Sequence, residues 1–207
     1  MKLNQIAAAL MVTLGCLAFT QAKTEVKKKT SKETTINKIE GSVKWTGYGV
    51  GDSHSGTITV KSGEVTMGNK DQVLSAQFVL DMKTLATADS KKLEGHLKSA
   101  DFFDVEKFTE ANFKSTKIES VLNDKKDMKA NYKIYGDLTI KDKTQPIDFM
   151  LAVSKKDGKF VATANTEIAD RTKYGINYHS AKFETVSKLG DKLIKDNIKL
   201  DIEIKTK

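Results

Sequence analysis

Asn131 to Val153 reads NYKIYGDLTIKDKTQPIDFMLAV. Here Tyr132, Ile134, Gly136, Leu138 and Ile140 alternate with Lys133, Tyr135, Asp137 and Thr139. Ile147, Phe149, Leu151 and Val153 resume the alternation after a turn expected at Lys143 to Pro146. Side chains two apart share a face of a strand, so each run presents one apolar and one polar face, and the two form a hairpin.

The same period of two extends outward in both directions. Leu74, Ala76, Phe78, Leu80 and Met82 carry it upstream; Phe160, Ala162, Ala164, Thr166 and Ile168 carry it downstream, and Ile194, Ile198, Leu200, Ile202 and Ile204 close the chain. Shorter runs near Val43 and Trp45, Ile58 and Val60, Val65 and Met67, and Phe113 to Ile118 bring the count to about eight or nine strands. The expected class is all-β, an antiparallel barrel of about eight strands with one or two short helices. One helix is placed at Ser90 to Ala100, where Leu93, Leu97 and Ala100 fall on a helical face and Asp89 or Ser90 can cap the start.

So many strands need their edges covered, by closure or by a sandwich. A long, regular last strand able to pair with the first favours closure. The inward faces mix large residues (Phe78, Phe149, Phe160) with small ones (Gly136, Ala162, Ala164). Small inward residues leave room for a ligand, or they mark ordinary large-and-small packing; the pattern leaves both open.

Before this domain, Met1-Lys2 and the uncharged apolar run Ile6 to Phe19 read as a signal peptide, with cleavage expected after Ala22. Leu14-Gly15-Cys16 resembles part of a lipoprotein box, but Thr13 stands where that box prefers Leu. Anchoring through Cys16 is therefore the lesser reading, and an exported product is expected. Lys23 to Lys38, rich in Lys, Thr and Ser, is expected to be a disordered lead-in, with the domain spanning residues 39–207. Its Lys27-Lys28-Lys29 run is a candidate for transient contact with a membrane surface.

The 207 residues carry a net charge of +8, with one Cys, one Pro and three His. That composition excludes a disulfide scaffold and any local Cys/His zinc motif. The lysines are dispersed among acids, which does not make a nucleic-acid surface. His54, His96 and His179 lie in three separate segments. Asp52-Ser53-His54-Ser55 gathers the residue types of a hydrolytic triad, but adjacent strand residues point to opposite faces and cannot form the relay. No enzyme is expected, and no cofactor or metal.

Two segments carry a family resemblance. His96 to Val105 (HLKSADFFDV), followed by Ala111 to Thr116 (ANFKST), resembles the central motif of the YceI-like family. Gly136 to Ile140 (GDLTI) and Asp170 to Ile176 (DRTKYGI) resemble its later motifs in the same order. Leu93-Glu94-Gly95 stands where the family usually has Arg-Asp, and Thr109 where it usually has Pro. The resemblance implies a periplasmic, lipocalin-like barrel whose apolar tunnel binds a polyisoprenoid or isoprenoid-quinone-like lipid for transport, storage or sequestration.

Burial gains about 0.8 kcal/mol per CH₂, so a chain of isoprene units can be held without any catalytic group. The expected lining is Trp45, Phe78, Leu80, Phe113, Ile134, Leu138, Phe149 and Leu151, with Phe102 and Phe103 closing the mouth. Arg171 is expected either to pair with Asp170 or to meet a lipid head group, the pair being favoured. The alternative function is an envelope stress or structural protein whose filled barrel acts through protein contacts. A monomer or a homodimer fits either.

Overall fold

In the structure, a computed structural model describing residues 34–121 and 131–207, the alternating runs become eight strands. They are β1 (Thr35–Tyr48), β2 (Ser53–Met67), β3 (Val73–Thr87), β4 (Glu110–Ser120), β5 (Tyr132–Ile140), β6 (Lys143–Lys156), β7 (Lys159–Ile168) and β8 (Ile198–Thr206). Each pairs antiparallel with the next, and β8 returns to β1, with Ile202 opposite Val43 and Leu200 opposite Trp45. Closure leaves no free sheet edge; the antiparallel barrel expected from the alternation, lipocalin-like as the resemblance implied, is the one present.

Two helices accompany the strands. In α1 (Lys91–Lys98), the Ser90 hydroxyl accepts a hydrogen bond from the Leu93 amide, as its capping position requires. The other, α2 (Val186–Leu189), is a single turn.

Three expectations are corrected. β1 begins at Thr35, four residues inside the expected lead-in, because Thr35 to Lys38 pair with Met67 to Glu64 on β2. The signal peptide, Cys16 and the Lys27-Lys28-Lys29 run lie outside the described residues. The β5–β6 turn is not Lys143 to Pro146 but Lys141-Asp142, both at positive φ (50° and 57°), a two-residue turn whose twist matches the hairpin. Pro146 sits inside β6 opposite Asp137, and β6 pairs with β7 only from Met150 onward, so the missing N–H falls where β6 has one neighbour.

Finally, Phe160 is not part of the apolar core; its ring lies 4.8 Å from the Lys155 ammonium.

The two ends of the barrel differ. One end carries the β2–β3 connection, the tight Asp157-Gly158 turn and the chain's return at Thr206. There Ile39, Ile134 and Leu151 are buried and in one apolar cluster with the half-buried Ile204. At the opposite end, two long connections run between strands: residues 88–109, which contain α1, and residues 169–197, which contain α2.

Candidate functional site

Beneath these two connections the apolar faces of the strands stand apart, leaving a cavity of about 300 Å³. Of the residues expected to line a tunnel, Trp45 (β1), Phe78 and Leu80 (β3), Phe113 (β4), Leu138 (β5) and Phe149 (β6) form its wall. Phe102 and Phe103, in the connection after α1, border it from above as expected. Ile134 and Leu151 do not line it: both are buried in the core nearer the other end of the barrel.

An aromatic floor explains that division. The Phe78 and Phe113 rings stack with centroids 5.1 Å apart, and Phe113 tilts against Phe149 at 5.5 Å. Phe78 and Phe113 are cross-strand partners, so the three rings stand side by side on the wall, and on β3, β4 and β6 the cavity extends no further than these residues. Gly136 makes the floor possible. A Cβ there would lie 2.5 Å from the Phe113 ring and 2.7 Å from the Lys114 carbonyl oxygen. The small inward residue thus admits a neighbour's ring and does not hollow the lumen.

The roof is built from both connections. Leu93 and Leu97 of α1 border the cavity, and Phe102 meets His96 edge-on at 5.0 Å and Tyr178 at 5.2 Å. His96 also meets Tyr178 edge-on at 4.8 Å, so the two connections join through one aromatic cluster. Lys141 Nζ donates to the Phe102 carbonyl at 2.7 Å, tying the roof to the β5–β6 turn, and burial pulls that ammonium below its ordinary pKa.

Arg171 holds the second connection together. It is 2% exposed and begins a short 3₁₀ turn, Arg171–Tyr174, that ends at Gly175 in the left-handed conformation (φ 77°). Its Nε donates to the Lys195 carbonyl (3.1 Å), Nη1 to Ile176 (2.7 Å), and Nη2 to Tyr178 (2.9 Å) and Ile194 (3.1 Å). Four of the five guanidinium N–H groups an arginine has are therefore spent on backbone carbonyls.

Its carboxylate neighbour is Asp196 at 3.6 Å, not Asp170 as expected; burial lowers the Arg171 pKa and Asp196 opposes the shift. Asp170 instead accepts from the Thr172 amide and hydroxyl and pairs with Lys182 at 2.6 Å. Arg171 borders the cavity but has little left to offer a head group. Burial alone also pushes the neighbouring Tyr174 phenol up to about 12.

Two of the three histidines meet carboxylates. His54 Nδ1 lies 3.0 Å from Asp89 and Nε2 lies 3.7 Å from Asp52, while His96 Nε2 lies 3.1 Å from Asp101. Among the described residues no three His, Cys, Asp or Glu side chains are grouped to hold a metal.

Met82, Ile140, Ile168, Ile198, Leu200 and Ile202 also line the cavity. All lie on the expected apolar faces, so extending each face to its strand end would have found them. Ile176 and Tyr178 had no such signal, because they come from irregular chain pinned by Arg171.

The model of the YceI-like domain matches residues 19–206, nearly the whole chain. The chain belongs to the YceI-like family. A curated relative, a UPF0312 protein of Vibrio parahaemolyticus, is 32% identical over 123 residues, 56% of this chain. The chain spans 62% of that relative's length.

Solved structures share the barrel at low identity. BcnA of Burkholderia cenocepacia superposes with a TM-score of 0.61 at 16% identity, covering 82% of this chain and 96% of its own. A polyisoprenoid binding domain from Saccharophagus degradans, implicated in plant cell wall breakdown, gives 0.54 at 13% identity, covering 84% and 99%. These likenesses show that the fold is shared.

Proposed function

We propose that this protein is an exported, non-catalytic carrier that holds the chain of a polyisoprenoid or isoprenoid-quinone-like lipid between the aromatic floor and the roof. The observation that carries the reading is the lining. Six wall residues expected from the alternation converge, with Phe102 and Phe103, on one cavity bordered mostly by hydrocarbon and aromatic side chains. The solved neighbour described as a polyisoprenoid binding domain supports the same ligand class.

A volume of about 300 Å³ stands at the lower end of the usual range for small-molecule sites, about 300–1,000 Å³. The floor then limits how much chain is enclosed, and a long polyisoprenoid keeps the rest of its length outside. Each five-carbon unit enclosed contributes on the order of 3–4 kcal/mol before the cost of ordering it. Width and depth, more than polar contacts, set the preference for a branched chain.

The test is uptake of a radiolabelled polyprenyl lipid by delipidated protein and by Leu138→Trp. The native protein takes up lipid, and the variant, folded by circular dichroism, does not. A native protein that takes up none, or a folded variant that takes up as much, contradicts the assignment.

A further inference from the structure

The cavity opens on one side of the roof. Of the residues that line it, Asp52, Asp191, Lys192 and Lys195 are exposed, and the others are buried or half-buried. The four lie in two stretches, the end of the β1–β2 turn and residues 191–195, which the Lys195 amide joins by donating to the Tyr48 carbonyl at 2.8 Å. These stretches frame a portal, and exposed apolar side chains flank it. Among the described residues the large apolar side chains left in solvent are Val50 (50% exposed), Phe183 (59%), Val186 (60%) and Ile36. Val50 belongs to the β1–β2 turn, and Phe183 and Val186 to the connection that supplies the other edge of the portal; Ile36 pairs with Thr66 at the filled end. The single turn α2 buries Leu189 and leaves Val186 in water. Three such side chains are too few for a stable protein interface, which buries about 1,200–2,000 Å². They suit the boundary between the head groups and acyl chains of a bilayer, where exposed apolar side chains bury themselves without a shaped partner.

Charge points to the same partner. In the second connection Asp170 faces Lys182, Asp196 faces Arg171 and Glu184 faces Lys188. That leaves the exposed Lys173, Lys192 and Lys195 against Asp191 and, across the portal, Asp52. The whole chain carries +8, so two copies repel each other whereas an anionic surface attracts either one.

We propose that the portal end of the barrel docks on the surface of an anionic phospholipid bilayer, with Phe183, Val186 and Val50 entering the boundary below the head groups and the portal lysines meeting lipid phosphates. A lipid chain then passes between bilayer and cavity without exposing its methylenes to water, which is the unfavourable step of such a transfer. The inference rests on the lipid-binding reading above for what passes through the portal, and docking is measured separately from uptake.

The native protein and its variants, all purified from the same cells, share one N-terminus, so whatever that segment adds is common to all. Co-sedimentation with vesicles of phosphatidylethanolamine and phosphatidylglycerol measures docking. The native protein binds, and more weakly at high salt. Phe183→Ser lowers the partition onto vesicles about tenfold, the factor that 1.4 kcal/mol represents, and Val186→Ser lowers it less. Ile36→Ser, which removes a similarly exposed apolar side chain at the filled end, leaves it unchanged. Uptake of a polyprenyl lipid delivered in cyclodextrin stays native in Phe183→Ser, while uptake from vesicles falls with the partition. All three side chains are exposed, so the variants keep the fold, as circular dichroism checks. A native protein that does not bind vesicles, a Phe183→Ser that binds as well, or an Ile36→Ser that loses as much overturns the proposal. So does a dimer in sedimentation velocity that Phe183→Ser dissociates, which assigns the surface to a second copy. If the native protein takes up lipid from cyclodextrin but does not bind vesicles, docking falls and lipid binding stands. If it takes up lipid from neither source, the lipid reading falls and this inference falls with it.

Discussion

The two halves of the barrel are made from the same strands and the same alternating pattern, yet one is filled and the other holds a cavity. In the filled half, Ile134 is 1% exposed, and Gly63 has no room for a Cβ because the Ile39 side chain lies 2.6 Å from where it would be. In the other half, Trp45, Leu80 and Leu138 face inward in the same way but meet a space of about 300 Å³. Period two says which side chains point inward. Whether they meet depends on how far apart the facing strands stand, and the cavity reaches only to the level of the Phe78, Phe113 and Phe149 rings.

That contrast depends first on the roof. Arg171→Ala leaves four carbonyls without their donor and removes the guanidinium 3.6 Å from the half-buried Asp196, and we expect a loss of about 3 kcal/mol or more in a denaturant titration. A loss below about 1 kcal/mol would show that the second connection is held by something else. Next, Ile134→Ala removes packing from the filled half and should cost about 3 kcal/mol. Leu138→Ala enlarges a space that already exists and should cost about half as much. Equal losses at the two positions would erase the distinction between the halves.

Gly136→Ala tests the floor itself. The added methyl meets the Phe113 ring and the Lys114 carbonyl, so a loss of about 2 kcal/mol is expected, together with a change in the environment of Phe113 by aromatic NMR. A neutral substitution would mean that the floor is loose.

The smallest effect is one of pH. Burial acts to raise the Asp170 pKa, but the Lys182 ammonium and the Thr172 hydroxyl and amide outweigh it and hold the carboxyl below the ordinary carboxylate range. Because the folded value lies below the unfolded one, this contribution is complete above about pH 4 and is lost as the pH falls through the folded value. Thermal melts of the native protein and of Asp170→Asn should therefore differ at pH 6 and converge in acid. A difference that grows on acidification would reverse the assignment.

Much of this was legible in the sequence because a one-sided sheet writes its burial at every second residue. β3, β5, β7 and β8 were readable in that way, as were the Ser90 cap and six of the eight expected wall residues. What was not legible has physical causes. Lys141-Asp142 carries no glycine to advertise a turn at positive φ, so the turn was misplaced toward Pro146. Ile134 and Leu151 follow the same period as Leu138 and Phe149, and nothing in the local pattern separates core from lining. Gly136 left a hollow and ordinary packing both open, and only the structure shows the Phe113 ring against it. Arg171 could be recognised as structural, but its four carbonyl partners come from irregular chain up to 24 residues away, which no local pattern encodes.

The central claim is that a lipid chain occupies the half of the barrel beneath the roof. The most direct measurement is organic extraction of the protein purified from its own cells, with mass spectrometry of whatever accompanies the folded barrel. The account predicts an isoprenoid lipid in near-stoichiometric amount, displaced when Leu138 is replaced by Trp. A folded native protein that yields no lipid, and takes none up when offered, would contradict it.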